Sequence, residues 1–191
     1  MVLSDVDIQR YIAEGKIKIS PPLPPEQLGS CSVDFRLGHE FSVFEHSLHA
    51  FIDLREKTAI QGLMRTVNVA DGDAFILQPH EFALAITQET LELDDEVLGR
   101  LEGRSSLGRI GIIVHGTAGL FDPGWVGKAT LELSNLGRMP VALYPGMRIC
   151  SFTFEQLSSR VAVPYRKKVG NKYSGQERPL ASKLASETGT K

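Results

Sequence analysis

Ser32-Val-Asp-Phe-Arg-Leu37 alternates apolar and polar side chains, and Phe41-Ser-Val-Phe44 resumes the alternation after Gly38. A period of two places every second side chain on one face of an extended chain, whereas a helix repeats about every 3.6 residues. The segment therefore predicts a pair of strands around a turn at Gly38. Working outward, similar short runs fall at 74–77, 82–87, 97–101, 110–114, 129–133, 141–143 and 147–155, with glycine or proline between them. Such regular spacing predicts a mainly β fold, a distorted barrel or sandwich, rather than alternating βαβ units.

Ser4, with Asp7 three residues later, Ile8, Tyr11 and Ile12 at helical spacing and Gly15 beyond, predicts one short capped helix over 5–14, in an N-terminal region 1–20. Pro21, Pro22, Pro24 and Pro25 then impose an extended connector. Residues 54–64 read as a loop with a helical turn. From Tyr165 the chain turns polar and basic, so 165–191 reads as a flexible C-terminal arm with no apolar period.

A chain of 191 residues fits a single domain, 1–191, able to bury a core without staples. Its net charge of −2 offers no general attraction to polynucleotides, so phosphate binding must come from a local cluster. Cys31 and Cys150 stand apart, in neither a disulfide framework nor a zinc spacing. With no apolar run of about 20 residues and no basic-then-apolar leader, a soluble, unprocessed, cytoplasmic chain without a membrane partner is expected.

Arg104-Ser-Ser-Leu-Gly-Arg109 places two guanidinium forks, two hydroxyls and glycine-flanked backbone within six residues, the groups that hold phosphate. Alone, it reads better as a surface turn with two solvated arginines. In Thr130-Leu-Glu-Leu133, Leu131 and Leu133 share one face, and Thr130 and Glu132 the other. The same pattern fits a solvent-facing charge, yet a carboxylate shielded from water by a bound ring can shuttle a proton near neutral pH. Asp122, in Phe121-Asp-Pro-Gly-Trp125, fits a turn former, and Trp125 a packing residue. His115 reads as structural, because no carboxylate partner or ligand spacing is visible.

Taken in order, Gly103-Arg-Ser-Ser-Leu-Gly-Arg109, His115-Gly-Thr-Ala-Gly119, Phe121-Asp-Pro-Gly-Trp125, Thr130-Leu-Glu-Leu-Ser-Asn135, Pro145-Gly-Met-Arg-Ile149 and Lys172-Tyr-Ser-Gly-Gln176 resemble the deoxycytidine triphosphate (dCTP) deaminase family. That family is related in fold to the trimeric dUTPases. The resemblance runs from Leu3 to Gln176 and implies a distorted barrel, a homotrimer with active sites between subunits, and a magnesium-bound triphosphate ligand. It implies no zinc or other catalytic metal. Independently, the H-x-E and P-C-x-x-C ligands of zinc deaminases are missing from the sequence.

The resemblance assigns the general base and acid to Glu132, with Ser105 and Arg109 positioning and polarising the attacking water. Arg109 is also expected to hold Glu132 by charge pairing. Arg104, Ser106, Lys172 and Gln176 correspond to groups around the triphosphate, and Leu107 and Gly108 belong to the same binding segment. Asp122 falls at the deoxyribose, Thr130 and Leu131 at the base, and Tyr165 with 172–176 in an arm that closes over nucleotide. Members differ in product: some stop at dUTP and ammonia, others continue to dUMP and pyrophosphate. Gly119 and Leu120 match the dUMP-forming pattern, whereas Ser151 departs from it. The expectation is dCTP deamination to dUTP, with the dUMP-forming reaction as the alternative. Less favoured are a dUTPase using Asp122 as base and a non-catalytic nucleotide-binding regulator.

Overall fold

The computed structural model describes residues 1–45, 51, 52 and 60–184 of the chain. Helix α1 (Asp5–Ala13) starts as its sequence requires: Ser4 Oγ accepts from the Asp7 N–H at 3.3 Å. Asp5 and Asp7 in its first turn suit the positive end of the helix dipole. The helix buries Ile8 and Tyr11 and ends one residue short of the expected boundary. Of the expected loop at 54–64, residues 54–59 lie outside the described residues, and Ile60–Leu63 form a single 3-10 turn.

The strands are β1 (Ile17–Ser20), β2 (Val33–Phe44), β3 (Met64–Asn68), β4 (Phe75–Leu77), β5 (Phe82–Leu93) and β6 (Val97–Gly103). After the short α2 (Ser105–Gly108) come β7 (Ile112–Ile113), β8 (Leu120–Phe121), β9 (Val126–Asn135), β10 (Val141–Leu143) and β11 (Arg148–Gln156). One sheet runs β7-β9-β5-β2-β11-β6-β8, with β1 also on β5 and β3 also on β2, all antiparallel. β4 and β10 form a separate pair. The long strands change partners along their length: β2 pairs with β11 through Val33–Arg36 and with β5 from Leu37 onward. Register shifts at 37/41, 86/90 and 148/150 bend these strands, which curls the sheet into a distorted barrel.

The expected hairpin at Gly38 is therefore one continuous strand. A Cβ at 38 would stand 2.8 Å from the Ile86 carbonyl oxygen, so glycine here serves close strand approach instead of a turn. The core is aromatic at its centre: Phe152 lies with its ring centroid 4.7 Å from Phe35 and 4.9 Å from Phe121.

Beyond β11 the described residues do not trail into solvent. Residues 160–184 lie against the barrel, and Gln176 and Ala181 are buried. The attachment is partly main chain, with Gly175 N–H donating to the Val126 carbonyl at 2.7 Å and Lys128 N–H to the Gln176 carbonyl at 2.9 Å. A polar composition conceals this, because backbone pairing needs no apolar side chains.

Candidate active site

β9 alternates strictly, with Ala129, Leu131 and Leu133 in the core and Thr130 and Glu132 on the opposite face. That face forms one side of a cavity of about 540 Å³, a size suited to a small-molecule ligand. Leu120 lines it from β8, Asp122 from the turn before β9, and Tyr165, Tyr173 and Gln176 from the arm. Asp122 sits in the tight turn closed by Trp125 N–H donating to its carbonyl at 3.0 Å. Trp125 is buried beneath, edge-on to Phe121 at 4.8 Å and covered by the Tyr165 ring at 5.4 Å.

Glu132 is held by the backbone at Gly116. Its Oε2 accepts from the Gly116 N–H at 2.7 Å, a bond to a charged acceptor worth about 1.5–3 kcal/mol. A side chain at 116 would place Cβ 2.8 Å from that oxygen and push the carboxylate away. His115 Nδ1 lies 3.8 Å from the same oxygen, too far for a hydrogen bond but close enough for charge pairing if the ring is protonated. His115 thus has the carboxylate partner that its sequence context hides. Both its ring nitrogens, Thr130 Oγ1 and Gln176 Oε1 are buried without a hydrogen-bond partner, and all three residues line the cavity. Buried polar atoms are costly to leave unpaired, so a ligand offering complementary donors and acceptors gains there.

The other expected residues stand apart. Ser105, Ser106, Leu107 and Gly108 form the single turn α2, between Arg104 and Arg109, and none of residues 104–109 lines the cavity. Ser105, Ser106 and Arg109 are exposed, and within one chain no ion pair joins Arg109 to Glu132 among the described residues. Arg104 is steered by Asp34: its Nη2 is 3.4 Å from Asp34 Oδ2, and its Nη1 donates to the Arg148 carbonyl at 3.0 Å. Arg148 Nη1 donates to the same Asp34 oxygen at 3.2 Å. Leu131 points its side chain into the core, fully buried. Lys172 is half-buried in the arm, and its carbonyl accepts from Lys183 Nζ. Gly119 has a packing reason of its own, since a Cβ there would stand 2.9 Å from the Leu101 carbonyl oxygen.

Among the described residues no cluster of three His, Cys, Asp or Glu side chains is placed to hold a metal ion. No described helix is long and apolar enough to cross a membrane. Cys31 is exposed and Cys150 buried, and burial pushes the Cys150 thiol far above its ordinary value.

A curled antiparallel sheet with Glu132 and Asp122 on one cavity fits the fold of small nucleotide-binding barrels, and the comparisons identify the family. Residues 2–157 match the family model described as dCTP deaminase-like. A dCTP deaminase of Thermomicrobium roseum is 61% identical over 188 residues, covering 98% of this chain and 95% of that protein. A dUMP-forming dCTP deaminase of Dictyoglomus thermophilum is 51% identical, covering 96% and 95%. In fold, the chain resembles the solved 2'-deoxycytidine 5'-triphosphate deaminase of Agrobacterium tumefaciens, with a TM-score of 0.63 at 22% identity, over 81% of this chain and 47% of that one. The chain belongs to the dCTP deaminase-like family.

Proposed function

We propose that this chain deaminates dCTP and then cleaves the uracil nucleotide to dUMP and pyrophosphate in one site, acting in the cytoplasm as a homotrimer. The observation that carries the reading is that two carboxylates from different elements, Glu132 and Asp122, line a single cavity. Relatives named as dUMP-forming support the second step.

In the first step Glu132 takes a proton from a water whose oxygen attacks C4 of cytosine, and passes it to the ring nitrogen. Glu132 then takes the proton of the new C4 hydroxyl and delivers it to the exocyclic amine, whose bond to C4 breaks as the C4 carbonyl forms, so dCTP and water give dUTP and ammonia. In the second step Asp122 takes the proton of a water attacking the α-phosphorus, and pyrophosphate leaves with its electron pair. Mg2+ enters with the triphosphate as part of the substrate. Thr130 and Gln176 complete the hydrogen bonding of the bound nucleotide, and no polynucleotide is involved.

The segment 104–109 acts in trans in this reading. A second copy brings Ser105 and Arg109 to Glu132, and Arg104, already aimed by Asp34, to the phosphates; Lys172 reaches them from the arm. The exposure of Ile110, Ile113 and Leu120 around that segment supports contact with another copy.

A second reading, release of dUTP, is favoured by the Thermomicrobium relative named simply as dCTP deaminase and by the short Ser151. A time course with dCTP and Mg2+, resolved by anion-exchange chromatography, separates the two. dUMP with equal pyrophosphate and no free dUTP is expected. Stoichiometric dUTP would establish the second reading, and unchanged dCTP would overturn both.

A further inference from the structure

Asp95, in the turn between β5 and β6, keeps only 8% of its side chain exposed. A carboxylate so placed is costly unless each oxygen is paired. Arg160 Nη2 donates to Oδ2 at 2.9 Å, and Arg166 Nη2 donates to Oδ1 at 2.6 Å. Burial pushes the Asp95 carboxyl up, but these donated bonds outweigh it and hold it below the usual carboxylate range.

Both partners belong to the segment by which the arm leaves the barrel. The turn itself closes through backbone, with Val97 N–H donating to the Asp94 carbonyl at 3.3 Å, so the Asp95 side chain is not needed to make it. The backbone repeats the attachment, since Val161 N–H donates to the Asp95 carbonyl at 3.0 Å. Tyr165, next in the chain to Arg166, donates its N–H to the Pro123 carbonyl at 2.8 Å and lays its ring over Trp125. Its Oη then accepts from the Tyr173 N–H at 3.3 Å, passing the alignment to the second tyrosine of the cavity wall.

We infer that Asp95 is a positioning residue of the site: by clamping Arg160 and Arg166 it fixes the root of the arm and seats Tyr165 on Trp125 as a wall of the cavity. Its effect on turnover rests on the reading of that cavity as a dCTP site, whereas the seating of Tyr165 does not.

Trp125 is the only tryptophan in the chain, so its fluorescence reports the ring that covers it. In the full-length Asp95→Asn protein, acrylamide quenching of Trp125 is expected to rise severalfold. KM for dCTP rises about tenfold with kcat within about twofold, since binding rather than chemistry is lost. Asp95→Glu restores both. If Asp95→Asn does not fold, Arg166→Gln, which leaves the buried carboxylate one arginine, is expected to show the same changes in smaller degree. Unchanged quenching overturns the inference, as does raised quenching with unchanged KM, or an equal fall of kcat and kcat/KM. Raised quenching in a protein whose wild type leaves dCTP untouched would instead overturn the deaminase reading while the seating of Tyr165 stands.

Discussion

The two walls of the cavity are built by different means. On the barrel side, Thr130 and Glu132 project from the middle of β9, which is paired with β5 along most of its length. On the arm side, Tyr165, Tyr173 and Gln176 are held by separate contacts: a ring on a ring, one short stretch of backbone pairing, and ion pairs at the root and near the far end. Groups in a long ladder open only with the whole fold, whereas a segment held point by point opens locally at lower cost. In the proposed reading the chemistry therefore sits on the rigid wall and containment on the wall that can yield, an arrangement suited to admitting substrate and releasing product.

The largest effect is expected where the rigid wall meets chemistry. Glu132→Gln keeps shape and hydrogen bonding but cannot take the proton, so deamination falls by about 10²–10⁴-fold while nucleotide binding persists, as single-turnover assays and calorimetry would show. Undiminished deamination would remove Glu132 from the mechanism. Mixing that variant with Arg109→Ala chains sharpens the comparison across subunits. If copies share sites, random reassembly restores about a quarter of them; no restoration would place both residues in one chain's site.

Phe152→Ala attacks the ladder from behind. Phe152 is fully buried among Phe35, Phe121 and Phe154, and its loss is expected to destabilise the protein by about 3–5 kcal/mol in denaturant melts. The yielding wall answers more gently. Gln176→Ala removes the bond from Nε2 to the Lys128 carbonyl, 2.8 Å long, and is expected to raise KM about tenfold with little change in melting temperature. A large drop in stability would mean that the arm belongs to the cooperative core.

The smallest effect in ordinary buffers is that of pH on the arm's root. Because Asp95 is held below the usual carboxylate range, its anchoring is fully present above the ordinary value of about 4 and is lost only as pH falls through the lower folded value. Arg160 and Arg166 face it, and Asp94 and Glu96 flank it in the chain. Trp125 quenching should therefore be flat from neutrality to about pH 4 and climb below it; a climb between pH 5 and 7 would point to another group.

Much of the barrel is legible because alternation survives in its long strands, and β9 shows its two faces without ambiguity. β1 and β3 are not, because Ile17-Lys-Ile-Ser20 and Met64-Arg-Thr-Val-Asn68 are short strands paired on only one side. The continuity of β2 through Gly38 depends on where Ile86 lies, a long-range fact that no local pattern contains. That Glu132, Thr130 and Asp122 share one cavity agrees with the motif order, whereas residue type alone suggests a solvent-facing Glu132 and a turn-forming Asp122. His115 and Asp95 are not legible, since each is defined by partners on other elements, in Asp95's case 65 and 71 residues along the chain.

Gly127 gives the arm an unexpected point of control. A side chain there would bring Cβ to 3.0 Å from both the nitrogen and the carbonyl oxygen of Gln176, in a backbone conformation with φ of 134° that other residues rarely adopt. The arm docks beside this residue through main-chain atoms as well as through the Gln176 side chain, so a barrel residue shares control of how it docks. Inheritance of the arm's behaviour thus resides partly outside the arm: one base change in the codon for Gly127 would strain the docking of a segment whose own coding sequence is untouched.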